Sequence, residues 1–137
     1  MNEHPSRTQE IAASFVMGLL TDKANGGNLA AQRLIEYMGD EKIPVIIFPK
    51  INIPDIKLAI MLTEHTRGKS AHMAFVIDSE VCAGMCRLDL SLHLEKYLDL
   101  FQSRLDRYER EGITLEPMPQ EYFDRILNGE VSPRIEG

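Results

Sequence analysis

The stretch Asp89–Gly112, DLSLHLEKYLDLFQSRLDRYEREG, decides the fold of this chain. Its large apolar residues recur at intervals of three and four, the spacing of one side of an α-helix: Leu90, Leu94, Tyr97, Leu98, Phe101, Leu105 and Tyr108. Charged residues occupy most of the other side, which we expect to face water. Asp89 or Ser91 is suited to cap the start, and Gly112 is the residue type that helices favour just after their last turn. The pattern predicts a long helix over about 91–111.

The residues just before this helix allow two interpretations. If the helix began at Asp78, Val81 and Met85 would start a second apolar stripe on the opposite side, and both sides would need burial. In the alternative, a turn is followed by a strand over 80–90, in which alternate residues share one face. We favour the second interpretation, a β-hairpin of this strand with a strand over 72–77.

The N-terminal part of the chain predicts a pair of helices. The first runs over about 6–23, with Ser6 and Gln9 at the two positions of a capping box. The sequence Asn-Gly-Gly-Asn at 25–28 is a strong turn signal, and a second helix follows over 29–38. Two helices joined by so short a turn are expected to pack against each other as a hairpin.

The middle of the chain changes in composition to β-branched and aromatic residues punctuated by proline. Residues 44–48 predict a strand that is apolar on both faces. A third helix is expected to open at Asp55 and to end before a polar loop, Arg67-Gly68-Lys69-Ser70. Its apolar side is formed by residues that include Ile60 and Thr63.

Together these elements predict one α+β domain over 1–137, with loose ends at about 1–5 and 131–137. The long helix covers a small sheet, and the N-terminal hairpin packs alongside. The sheet is predicted from three strands: 44–48, 72–77 and 80–90. The alternative is an α/β arrangement in which the first two of these strands are parallel and are connected through the helix over 55–66.

Composition limits the classes of function. The chain has 137 residues, 44% of them hydrophobic and 26% charged, with a formal net charge of -6. This acidic balance argues against a protein that binds the phosphate backbone of nucleic acids. There is no apolar run of about 18 residues, so no membrane span is expected. The segment MNEHPSRTQE lacks the pattern of a secretory signal, which favours a cytoplasmic protein.

A group of cysteine and histidine residues is the first candidate site. Zinc takes thiolate and imidazole ligands, and the candidate ligands are His72, Cys82, Cys86 and His93, with His65 as a further histidine nearby in sequence. Two cysteines four apart in a strand would be separated by about 13 Å, too far for a disulfide or a shared ion. We therefore expect buried, structural cysteines and no cofactor, with zinc as the alternative.

Two further chemical interpretations involve His72. Cys82 or Cys86 beside it could act as a thiolate nucleophile, as in a small enzyme. The loop that carries Arg67 and Lys69, together with His72, is a candidate binding site for an anion. This loop lacks the glycine spacing of a nucleotide-binding P-loop, and we expect a solvated turn there.

The sequence therefore favours a small acidic intracellular protein that binds other proteins without catalysis. An adaptor, an inhibitor or immunity-type protein, and a phage or mobile-element accessory factor all fit this description. The helices over 6–23 and 91–111 are the expected contact faces, for a protein partner or for a homo-oligomer. The alternative is an enzyme, or a metal or small-ligand binder, that uses Cys82, Cys86 and His72.

Overall fold

A computed structural model describes residues 7–49 and 59–128 of the chain. The helices in these residues are α1 (Arg7–Asn25), α2 (Leu29–Gly39), α3 (Ser79–Ala83), α4 (Arg87–Glu111) and α5 (Gln120–Leu127). The strands are β1 (Val45–Phe48), β2 (Ile60–Arg67), β3 (Ser70–Asp78) and β4 (Thr114–Leu115). The predicted α+β class is confirmed. The loose ends predicted at 1–5 and 131–137 lie outside the described residues, as does the predicted helix start at Asp55.

The long helix is confirmed as α4. All seven residues of its predicted apolar side are buried, and Gly112 follows the helix with the left-handed φ of 68° that glycine tolerates best. The helix begins at Arg87, about four residues before the predicted start, with Cys86 at the N-cap position.

The predicted N-terminal hairpin is also confirmed. α1 and α2 are joined by a short turn in which Gly27 has a φ of 99°. The Asn28 side chain accepts a hydrogen bond of 3.0 Å from the backbone N–H of Ala31, which caps the start of α2. Val16 and Leu34 are among the residues that the two helices bury in the main core.

The sheet is mixed, with β3 as its central strand. β1 pairs with β3 in parallel and β2 pairs with β3 antiparallel, while β4 adds a short parallel contact at the start of β3. One face of the sheet packs in the main core with α1, α2 and α4. The other face forms a smaller core with α5: Ile46, Met61, Ala74, Val76 and Ile126. The side chains of β3 are therefore buried on both faces over most of its length.

The helix predicted over 55–66 is wrong for its described part, because residues 60–67 form β2. Along this strand, Ile60 packs in the main core and Met61 in the smaller one. The strand is apolar on both faces at its start, and such a run has no period that separates helix from strand. Gly68, with a φ of 63°, makes the tight turn into β3.

The strand predicted over 80–90 is also wrong. The Asp78 side chain accepts a hydrogen bond of 2.9 Å from the backbone N–H of Val81, and this cap starts the short helix α3 directly after β3. A second helix, α4, then begins at Arg87. The strand predicted at 72–77 is part of β3. Its hairpin partner is β2, and its parallel neighbour is β1, which corresponds to the strand predicted at 44–48.

Candidate functional site

The residues proposed as zinc ligands lie in different parts of the fold. His72 is in β3, on the face of the sheet that carries the smaller core. His93 is in α4, on the other face, and its Nε2 atom lies 3.3 Å from the carbonyl oxygen of Ile60. Cys82 is buried and Cys86 is exposed at the start of α4. Within residues 7–49 and 59–128, no group of three or more His, Cys, Asp or Glu side chains is placed to hold a metal ion.

The two cysteines have different chemistry. The Cys82 thiol donates a hydrogen bond of 3.6 Å to the Ala59 carbonyl oxygen. Burial, with a further contribution from the negative charge of Asp78, raises the pKa of this thiol to about 11, so it stays protonated and weakly nucleophilic at neutral pH. His72 lies six residues from Asp78 along β3, about 20 Å away. Cys82 and His72 therefore do not form a catalytic pair.

The structure brings histidine and arginine side chains together in a cleft between the β2–β3 hairpin and α5, which we call the hairpin cleft. It is lined by seven residues: His65, Arg67, His72, Pro119, Glu121, Tyr122 and Arg125. His65 and His72 are directly opposite each other on the paired strands. Their rings are nearly parallel, at 12°, with centroids 6.4 Å apart. The centroid of the Tyr122 ring lies 4.7 Å from that of His65.

One ring nitrogen of His72 is already engaged. Its Nδ1 atom lies 3.2 Å from the backbone carbonyl oxygen of Glu116. A carbonyl oxygen can only accept, so Nδ1 carries the proton of this hydrogen bond and Nε2 has no proton in the neutral ring. The Glu116 carboxylate accepts from the Ser70 hydroxyl, at 3.1 Å to each oxygen. The contact with Glu116 fixes the orientation of the His72 ring.

Of the three residues predicted to bind an anion, Arg67 and His72 line the hairpin cleft but Lys69 does not. The Lys69 ammonium donates a hydrogen bond of 2.9 Å to the carbonyl oxygen of Glu111, in the last turn of α4, where a cation is favourable. Sequence reasoning missed Tyr122 and Arg125, since they come from α5. The alternation of β2 would have placed His65 and Arg67 on one face, but this segment was predicted to be a helix.

The opposite face of the hairpin carries a second polar cluster, which is structural in character. The Glu64 carboxylate is buried, and it accepts hydrogen bonds from the Tyr108 hydroxyl and from the Arg107 guanidinium. The Arg104 Nε atom lies 3.5 Å from the same carboxylate. Burial, and then the hydrogen bond to Glu64, raise the pKa of Tyr108. The cluster ties β2 to α4 on the face away from the hairpin cleft.

The predicted contact face of α4 is buried inside the fold, including Leu94, and that of α1 is buried at Val16 but not at Ile11, which is 57% exposed. Two leucines at the start of α4 remain outside this core. Leu88 is 67% exposed and Leu92 is 55% exposed, one turn apart. Leu88 borders a shallow groove that is also lined by Leu19 of α1. We call the two exposed leucines and this groove the α4 surface.

No family model, curated protein or solved structure matches this chain. In the described residues, none of the helices has the length and apolar character needed to cross a membrane. Among the described residues, the hairpin cleft and the α4 surface are the candidate sites that we consider further.

Proposed function

We propose that this chain is a small acidic protein that acts without catalysis, by protein–protein contact, and that the α4 surface makes the contact. The observation that carries the proposal is the exposure of Leu88 and Leu92 on successive turns of one helix. Single exposed leucines are ordinary in soluble proteins. Two adjacent ones beside an apolar groove form a continuous patch, which is typical of an interaction site.

Burial of this patch would supply a substantial part of a binding energy. Removing a leucine side chain from water is worth about 1.5–3 kcal/mol when burial is complete. The helix that presents the two residues is rigid, because its opposite side is packed into the main core along its length. A partner therefore gains contact area without ordering a flexible segment, which lowers the entropic cost of association.

The charges around the patch favour a second copy of this chain as the occupant. With a formal net charge of -6, two copies repel each other over most orientations. Beside the patch, however, charges of both signs are paired: Arg87 with Asp22 at 2.9 Å, and Lys23 with Glu95 at 3.1 Å. A surface that carries both signs can complement itself across a two-fold axis.

The wider role that we propose is that of a cytoplasmic adaptor or inhibitor, of the kind found among immunity proteins and phage or mobile-element accessory factors. It needs no cofactor. Support for a non-catalytic role comes from the pKa of Cys82, whose thiol stays protonated, and from the separation of this thiol from His72. Acidic charge supports a protein partner over a nucleic acid.

Sedimentation equilibrium of the purified chain tests this proposal. We expect a reversible dimer, and we expect Leu88→Glu and Leu92→Glu each to raise its dissociation constant at least about tenfold, since a charge would have to be buried in the apolar contact. Leu127→Glu is the matched control. Leu127 is 45% exposed in α5, on the other side of the sheet, and its replacement should leave the dimer unchanged.

Two results would contradict the proposal. One is a chain that stays monomeric at every concentration measured. The other is a dimer that Leu127→Glu weakens as much as the two α4 variants do, because that result would place the contact elsewhere. Since all three leucines are exposed, the variants should keep the fold, and circular dichroism verifies this.

A further inference from the structure

We propose that the hairpin cleft binds the phosphoryl group of a small phosphomonoester. This site is separate from the α4 surface and goes beyond the proposed function. The cleft combines two guanidinium groups, two imidazole rings and a tyrosine ring, which come from β2, β3 and α5. Guanidinium groups are the side chains best suited to bind phosphate with two parallel hydrogen bonds.

The two arginines of the cleft are free to bind a ligand. Arg67 and Arg125 are exposed, and neither makes an ion pair with another of the described residues. Elsewhere in the fold, two arginines of α4 are engaged in the pairs Arg87–Asp22 and Arg107–Glu64. The cleft therefore concentrates two unpaired positive charges, on the surface of a chain that is acidic overall.

The histidines add donors next to these charges. His72 has its Nδ1 atom engaged with the Glu116 carbonyl oxygen, so Nε2 is the ring atom left for a ligand. This nitrogen donates a hydrogen bond when the imidazole is protonated. His65 lies opposite on β2 with its ring parallel to that of His72. Both rings line the cleft.

The acidic groups near the cleft reduce its positive charge without cancelling it. Glu121 lines the cleft on α5, and it offsets one of the two guanidinium charges. Glu116 lies outside the lining of the cleft, and its carboxylate accepts from the Ser70 hydroxyl at 3.1 Å to both oxygens. Among the residues that line the cleft, two guanidinium groups and one carboxylate leave one positive charge in excess.

The size and the aromatic wall of the cleft indicate the kind of ester. Its volume is about 190 Å³, below the range of about 300–1,000 Å³ that is typical of pockets that enclose a whole organic ligand. This space suits a phosphoryl group with part of its ester substituent. The Tyr122 and His65 rings, 4.7 Å apart between centroids, give that substituent a surface for stacking when it is aromatic.

Isothermal titration of the full chain with phenyl phosphate and with inorganic phosphate tests the inference. We expect saturable binding of both, with phenyl phosphate tighter because its ring can pack on Tyr122. Arg67→Gln and Arg125→Gln should each weaken the binding of phenyl phosphate by about tenfold, the effect of losing a charged hydrogen bond. Arg110→Gln removes the same charge from the last turn of α4 and should leave the affinity unchanged.

Three results would overturn the inference. The first is the absence of saturable binding of phenyl phosphate at concentrations up to about 1 mM. The second is a loss of affinity in Arg110→Gln as large as in the two cleft variants, which would indicate unspecific attraction. The third is tighter binding of inorganic phosphate than of phenyl phosphate, which would exclude the aromatic wall as part of the site.

Discussion

At the residue scale, two cysteines four positions apart differ sharply in reactivity. Cys82 is buried in α3 with its thiol bound to the Ala59 carbonyl oxygen, whereas Cys86 is exposed at the N-cap of α4. The sequence predicted small buried cysteines, which describes Cys82 but not Cys86. The two thiols differ in exposure because Cys82 lies in α3 and Cys86 lies just before the start of α4 at Arg87. In the predicted strand over 80–90, both cysteines would have been on the same face.

Alkylation should separate the two thiols. We expect iodoacetamide to modify Cys86 readily in the native protein and to modify Cys82 only on unfolding, because burial removes access and raises the pKa of the Cys82 thiol to about 11. Mass spectrometry of the digested protein identifies the site. Cys86→Ser should then leave no rapidly labelled thiol. Fast labelling of Cys82 in the native protein would revive a nucleophilic role.

Protonation of His93 should make the fold less stable in acid. Burial lowers the pKa of His93 more than its hydrogen bond to the Ile60 carbonyl raises it, and the positive charge of Lys96 lowers it further. In the unfolded chain the ring takes up a proton below about pH 6.5, so the unfolded state binds more protons and is favoured as the pH falls. The contribution of the neutral His93 ring to the free energy of unfolding is therefore largest above about pH 6.5 and declines as the pH falls below that value.

Urea unfolding at a series of pH values measures this effect. The free energy of unfolding should fall between about pH 7 and pH 5, and His93→Gln should make this decline smaller. His65→Gln serves as the control because His65 is exposed on the other face of the sheet. An equal decline in the wild type and in His93→Gln would contradict the assignment.

At the element scale, the secondary structure of long segments with one apolar side could be predicted, whereas that of short segments buried on both sides could not. α4 has seven buried residues on one side, so its period is unmistakable. β2 starts with residues that are buried on both faces, and it was predicted as a helix because an apolar run has no alternation. α3 is only five residues long, too short to show a helical period, and the alternation of residues over 80–90 favoured a strand there.

Two glycines should respond to alanine with opposite signs. Gly112 ends α4 with a φ of 68°, a conformation that costs an L-residue about 1–2 kcal/mol, so Gly112→Ala should lower the free energy of unfolding by about 1 kcal/mol. Gly18 lies inside α1, where an added Cβ meets nothing within 4 Å. Gly18→Ala should therefore raise the free energy of unfolding by about 0.5–1 kcal/mol, the difference in helix propensity.

Thermal or urea unfolding of the two variants checks this pair. The two replacements add the same methyl group, so a difference between them reports backbone conformation and not side-chain size. A Gly112→Ala variant as stable as the wild type would show that α4 does not end in the left-handed conformation described above.

At the scale of the whole molecule, the candidate sites arise from contacts between distant segments. The hairpin cleft joins Arg67 of β2 to Arg125 of α5, and the α4 surface joins Leu19 of α1 to Leu88 of α4. Two of the three residues predicted to bind an anion, Arg67 and His72, do line the cleft. The partners Tyr122 and Arg125 could not be predicted, because nothing in the pattern of α5 indicates which face of the sheet it covers.

The packing of the whole molecule also explains why most of the predicted contact faces are not available to a partner. The apolar stripes of the helices over 6–23 and 91–111 were expected to be available to a partner. In the fold they pack against each other and against the sheet, since both belong to one core. At the start of α4, Leu88 and Leu92 lie on the side turned away from that core and stay available to a partner.

The contact between two copies through the α4 surface is tested most directly with a spin label on Cys86. This cysteine is exposed and lies two residues before Leu88, while the native fold protects Cys82 from the reagent. In a dimer formed through Leu88 and Leu92, the labels of the two copies lie close together, and we predict dipolar coupling between them that Leu92→Glu reduces as the dimer fraction falls. Uncoupled labels in a protein that sedimentation shows to be dimeric, or coupling that Leu92→Glu leaves unchanged at a concentration near the dissociation constant, would contradict the proposed contact.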